Sequence, residues 1–300
     1  MQLDRTFIAI RKRTLVELWD LTLQVLRTHF FALVKLLLIG ALPWCLLNFA
    51  LTFWMVSDNN YSEYVWWFYW INLLLVASQA QVATCLVSSY LGHAMFDQNP
   101  NIKATLGDVR DRGLWFWWLH LAIRMVLPAI ALVVFGLMAE WGSEVYWGFL
   151  LFCVVGFGMI VRARTPYLNE LLLLEKAPRK SDPNSASVQI KFAERSRGIH
   201  SVVGADLMSR SLLSGLISVG LLYAVFASLC LLVGVLNFGT FSYNGVYHFL
   251  WQPALWIVAG IVAINRFLAY IDLRIRTEGW SVMLRMKAEA NRQRTQTEIG

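Results

Sequence analysis

From Ser211 to Asn237 the chain reads SLLSGLISVGLLYAVFASLCLLVGVLN, without one charged side chain. At a 1.5 Å rise per residue, a helix of that length exceeds the roughly 30 Å hydrocarbon core of a bilayer. In water it would expose apolar surface on every side. In lipid that surface is matched, and a helix satisfies all its own backbone hydrogen bonds. Comparable runs recur at about 32–56, 65–92, 114–138, 145–163 and 249–270. With 211–237 they predict an all-α polytopic membrane protein, six transmembrane helices in a single integral membrane domain over 1–300. The ten-residue alternation of a membrane β-barrel is absent from the sequence. Composition agrees: 58% of the residues are apolar and 15% charged, against about 25% charged in globular chains. The mean hydropathy is +0.54.

Segment 1–31, ahead of the first run, is charged and mixed in character. It lacks the short basic tip and apolar core of a cleavable signal peptide, so the first span is expected to be the insertion signal. Cys45, Cys85, Cys153 and Cys230 all fall inside predicted spans, with neither a CxxC spacing nor neighbouring histidines. They are expected to pack as small apolar residues, with no metal and no cofactor implied.

Basic residues fix an expected orientation. Of the 26 Lys and Arg, all but Lys35 and Arg124 lie in the lead-in, in 93–113, in 162–210 or from Arg266 onward. The alternate connections 57–64, 139–144 and 238–248 contain none, and carry Asp58, Glu63, Glu140 and Glu144. The positive-inside rule then places both termini in the cytoplasm of a multi-pass protein, expected in the inner (plasma) membrane of a bacterium. Trp54, Trp66, Trp67, Trp141, Trp147 and Trp251 fall near the outer boundary, and Trp115, Trp117 and Trp118 near the inner one. The headgroup level suits an indole, which is apolar but has an N–H to satisfy. Trp44 departs from this pattern and is expected between helices.

Three cytoplasmic segments follow. Leu15, Leu18, Trp19, Leu26 and Phe30 recur at helical spacing, with Thr22 interrupting, which reads as an amphipathic helix in the membrane interface. The loop 164–210 opens with RTPYLNELLLLE, read as a half-buried interfacial helix capped by Thr165 with Pro166 at its first position. A linker, KAPRKSDPNSAS, comes next. The basic tail 271–300 continues the sixth span, with residues 271–287 predicted as a helix on the inner surface bending at Gly279. Its basic residues are expected to meet anionic lipid headgroups. Asp272 and Glu278 gain nothing from such lipid, and make sense if they pair locally, Asp272 with Arg276 one turn on, or with bases in the lead-in or central loop; with Arg274 they complete the group. These four residues form a candidate cytoplasmic latch. Without a base-stacking platform, nucleic acid is not an expected partner.

Catalytic patterns are missing from the sequence: there is no HExxH, phosphate-binding loop, GxSxG or dinucleotide fingerprint. No catalytic, cofactor-binding or metal-ligating residue is therefore assigned. Within the predicted spans Arg124 stands out, with His120 one turn before it and Gln79 and Gln81 in the second span. An intramembrane Arg marks either a polar site or a snorkelling side chain, and these four residues form the candidate polar intramembrane site.

Three stretches carry a resemblance. LVELWDLTLQVLRTHFFALVKLLLIGALP, RTPYLNELLLLE and YIDLRIRTEGW resemble the lead-in with first span, the central loop and the C-terminal signature of a diffuse group of uncharacterised bacterial polytopic membrane proteins. That group is similar to the membrane domain attached to some glycerophosphodiester phosphodiesterases. Tyr270, Asp272, Arg274, Arg276, Glu278 and Gly279 match the signature. The resemblance implies a layout rather than an activity, since the phosphodiesterase catalytic domain has no counterpart here. The expected function is a non-enzymatic scaffold docking a cytoplasmic or membrane protein partner. The alternative is a transporter or lipid-handling protein with a polar site around Arg124.

Overall fold

The computed structural model describes residues 13–57, 61–95, 102–111, 118–120, 126, 129–130, 133–134, 152–153, 166–175, 192–201, 204–236 and 246–277. Every regular element among them is helical: α1 (Leu15–Thr28), α2 (Phe30–Thr52), α3 (Trp54–Ser57), α4 (Tyr61–Ala83), α5 (Cys85–Ala94), α6 (Ile102–Asp111), α7 (Leu168–Leu173), α8 (Phe192–Ser201), α9 (Gly204–Leu236), α10 (Val246–Phe249) and α11 (Trp251–Thr277). Four stretches are long and apolar enough to cross a membrane: Phe30–Thr52, Val65–Ala94, Ser209–Leu236 and Tyr247–Arg276. They coincide with the first, second, fifth and sixth expected spans. The expected spans 114–138 and 145–163, the linker, Arg124 and the chain beyond Thr277 lie wholly or mostly outside the described residues.

These four stretches divide into an inner and an outer pair. In Val65–Ala94 and Tyr247–Arg276, 83% and 72% of the most apolar window is buried by other helices; in Phe30–Thr52 and Ser209–Leu236 the shares are 17% and 11%. The inner pair forms the axis and α2 and α9 flank it. The outward side chains of the flanking helices, such as Leu38, Leu42, Leu216 and Val219, are large and apolar, as a lipid-facing surface must be.

Close packing rests on small residues. A Cβ added at Gly40 of α2 would stand 2.0 Å from the carbonyl oxygen of Ala83, so the two backbones touch there. Ala83 precedes Thr84, whose φ of −93° and ψ of 6° break α4 from α5. Such small-residue contacts are how helices associate without a hydrophobic driving force in lipid. Trp44, half-buried, packs against the cluster of Ala41, Val76, Leu255 and Val258 where α2, α4 and α11 meet.

The lead-in helix α1 starts on a capping box. The Glu17 N–H donates to Thr14 Oγ1 at 3.3 Å, and the Thr14 N–H donates to the Glu17 carboxylate at 2.8 Å. His29 alone separates α1 from α2. This amphipathic helix packs along α11, burying Leu18 and Thr22. Thr22 does not weaken that face: its hydroxyl donates to the Leu18 carbonyl at 2.7 Å, so a small satisfied side chain lies at the contact.

The expectation for the central loop changes. The RTPYLNELLLLE helix begins at Leu168 with Tyr167 at its N-cap, and Pro166 belongs to the turn before it. All six residues of α7 are buried, in one cluster with α1, α5 and α11. It is a plug in the bundle rather than a helix on its surface, because its polar members find partners inside. Residues 271–277, expected as a helix continuing the sixth span, belong to α11, with Ile271, Leu273 and Ile275 buried in that same cluster.

Candidate functional site

Polar side chains inside the bundle sort into layers along its axis. In one of them, Asn48 of α2 and Gln79 of α4 exchange two amide hydrogen bonds, each 2.8 Å. Asn72 donates to Thr52 Oγ1 at 3.2 Å, and its Oδ1 meets the side-chain amide of Gln252 of α11 at 2.6 Å. All five of these side chains are buried, so this layer joins α2, α4 and α11 by bonds that lipid cannot replace.

The next layer contains part of the expected polar site. His120 Nε2 meets Asn169 Oδ1 of α7, and Asn169 Nδ2 donates to the main-chain carbonyl of Gln81 at 2.8 Å. Because the Asn169 amide nitrogen is committed to Gln81, its oxygen faces His120, and Nε2 is the protonated imidazole nitrogen. His120 and Gln81 are thus brought together by Asn169, and Arg124 lies outside the described residues. Gln79 does not join them. Two residues apart on a helix means about 200° around its axis, so Gln79 and Gln81 face opposite sides of α4.

Beside it lies an ion pair with a fully buried carboxylate that the sequence reading did not identify. Glu170 of α7 is 0% exposed. Its Oε1 accepts from Arg266 Nε of α11 at 2.9 Å and from Ser88 Oγ of α5 at 3.3 Å. Arg266 Nη2 also reaches Ser88 Oγ at 3.4 Å. Glu170 Oε2 is buried with no hydrogen-bond partner. The neighbouring Tyr167 is held well above the usual phenol range, chiefly by burial and then by the Glu170 charge.

The last layer is the proposed latch. Asp272, 2% exposed, lies 2.8 Å from Arg276 Nε one turn on and 3.3 Å from Arg210 Nη1 of α9. Its Oδ1 accepts the main-chain N–H of Arg13 at 2.9 Å, and Arg276 Nη2 donates to the Arg13 carbonyl. One carboxylate therefore ties the start of α1, the start of α9 and the end of α11 together. Arg274 faces away from it: Nη1 lies 3.5 Å from Glu175 Oε1, and Glu175 also accepts from the Tyr270 hydroxyl. Glu278 lies outside the described residues. Beside this layer His93 Nε2 and Asp108 Oδ2 stand 2.8 Å apart, fastening α6 to α5.

Among the described residues no group of three His, Cys, Asp or Glu could hold a metal ion. No family model, curated protein or solved structure matches the chain.

Proposed function

We propose that this chain is a non-enzymatic scaffold of a bacterial inner membrane, with six spans, both termini cytoplasmic and a pre-assembled cytoplasmic face that docks a protein partner. The observation that carries this reading is the Asp272 junction. It binds segments as distant in sequence as Arg13 and Arg276 into one rigid end, and rigid surfaces bind without paying for their own ordering. The expected loop charges orient that end to the cytoplasm. The resemblance to the membrane domain of glycerophosphodiester phosphodiesterases bears on the same place, since Asp272 and Arg276 belong to the shared stretch YIDLRIRTEGW.

The test is photo-crosslinking in cells from exposed positions Glu194 and Arg197 of α8, beside the same chain carrying Asp272→Asn. One protein should crosslink in stoichiometric yield to the native chain, and the yield should fall in the variant although it inserts normally. Absence of any such product, together with solute or lipid movement by the purified chain in vesicles, would overturn the scaffold in favour of transport.

A further inference from the structure

Between α5, α6, α7 and α11 lies a cavity of about 340 Å3, with Ser89 of α5 in its wall. We infer that it holds one aromatic ring carrying a single hydroxyl group, the chemistry of a phenol. This stands apart from the scaffold reading, since it concerns a ligand of the cavity and not the surface around it.

The serine comes first. Ser89 is 2% exposed, and its hydroxyl makes no hydrogen bond among the described residues. Other buried or half-buried hydroxyls of the bundle spend their proton on the carbonyl one turn back, as Thr22, Thr84 and Ser218 do at 2.7 Å. A hydroxyl taken out of water without a partner is costly, so a ligand that satisfies Ser89 is favoured over one that merely fills space. Serine both donates and accepts, and a phenol does the same.

Charge narrows the choice. Asp108 Oδ2 lies 2.8 Å from His93 Nε2, and Arg274 Nη1 lies 3.5 Å from Glu175 Oε1. The charged groups of the wall already face opposite charges, so neither an anion nor a cation is called for. A guanidinium engaged at its edge still offers its flat face to a ring, and Arg274 stands in that relation to Tyr270, 6.0 Å from the ring centroid. An uncharged aromatic ligand therefore suits this wall without breaking either pair.

Size and lining agree. Met95, Leu173, Phe267 and Ile271 supply the apolar part of the wall, and thioether and aromatic edges both pack well against a π system. Leu174 closes one side, seated where a Cβ on Gly92 would overlap it. An apolar cavity of about 150 Å3 takes up benzene, so this one has room for a ring together with its substituents. An acyl chain would occupy the same volume and leave Ser89 unpaired.

Equilibrium dialysis of the full chain in detergent tests this with labelled p-cresol, the phenol of a tyrosine side chain, and with toluene, the same ring without the hydroxyl. Met95→Trp, which fills the cavity, measures uptake by the micelle alone. The parent should bind one p-cresol above that level. Ser89→Ala should weaken p-cresol roughly tenfold and leave toluene within about twofold, with helicity by circular dichroism unchanged. Equal uptake by the parent and Met95→Trp would overturn the site. Undiminished p-cresol binding in Ser89→Ala, or an equal loss of toluene, would overturn its assignment to a hydroxylated ring. A blocked tripeptide with a central tyrosine distinguishes the source: binding with the same dependence on Ser89 assigns the ring to a protein side chain, and exclusion of the peptide assigns it to a free phenol. No protein partner is present in this experiment, so its outcome is separate from that of the crosslinking.

Discussion

Replacing Glu170 with Ala removes the carboxylate that pairs with Arg266 among the described residues. Glu170 is 0% exposed, and the Arg266 side chain is 13% exposed. Breaking a buried pair by deleting one partner costs about 3–5 kcal/mol, because the remaining charge stays where water cannot reach it. Two features place this pair at the low end. Glu170 Oε2 has no partner, so the native carboxylate is itself incompletely satisfied. Arg266 also lines the cleft beside α9, and can swing toward it when Glu170 is gone. The expected loss is about 3 kcal/mol, more than two decades in the folding equilibrium. Arg266→Leu should cost a similar amount for the mirror-image reason. The double variant, Glu170→Ala with Arg266→Leu, leaves neither charge and should be less destabilised than the sum of the singles by about 1–3 kcal/mol. Unfolding titrations in mixed micelles, followed by tryptophan fluorescence, give all four values. Strict additivity, or a Glu170→Ala chain within about 0.5 kcal/mol of the parent, would refute the reasoning and show that the pair is not sealed from solvent.

Three further outcomes follow from the packing and the charge pattern. Gly40→Ala places a methyl group 2.0 Å from the Ala83 carbonyl and should cost about 1–3 kcal/mol by overpacking in the same titrations, whereas Gly107→Ala, with open space around it, should not destabilise; equal values would mean that α2 can shift freely. Asp272→Ala should accelerate limited proteolysis of the 176–187 linker, and a cleavage rate equal to the parent's would show that the junction does not hold that face together. In a background without Cys45, Cys85, Cys153 and Cys230, single cysteines at Ser62, Ser143 and Ser242 should label from outside and those at Ser185 and Gln293 from inside; inside labelling at any of the first three would overturn the six-span topology.

The parts of this molecule that are legible in its sequence are those set by local rules. Uninterrupted apolar runs reveal α2, α4 with α5, α9 and α11, because a helix in lipid needs nothing beyond length and hydropathy. Asp272 and Arg276 are visible as a pair because four residues make one turn. The capping box at Thr14 and Glu17 also carries a local signal, Thr-x-x-Glu, though the amphipathic period alone drew the reading of α1. What stays hidden depends on residues far away in the chain. Hydropathy reads NELLLL as an interfacial helix; it is buried because Arg266, Ser88 and His120 await Glu170 and Asn169. Gln79 and Gln81 look like one site in a linear string and belong to two, since the helix turns them apart. Arg13 contributes to the junction through its main-chain N–H, a group that every residue but proline possesses and that no sequence pattern marks.

The polar layers also impose an order on biogenesis. Asn48 and Gln79 sit on α2 and α4, made well before α11, so their amides can pair early in synthesis. Asn72 must wait for Gln252, and Glu170 for Arg266, both on the later α11. Until then the Asn72 amide oxygen lacks its Gln252 partner and the Glu170 carboxylate lacks its cation, a state that membrane interiors penalise. A chain interrupted before α11 is therefore left with a defined set of unsatisfied amides and one stranded carboxylate, which is the chemical difference a membrane protease would need to tell an unfinished copy from a finished one.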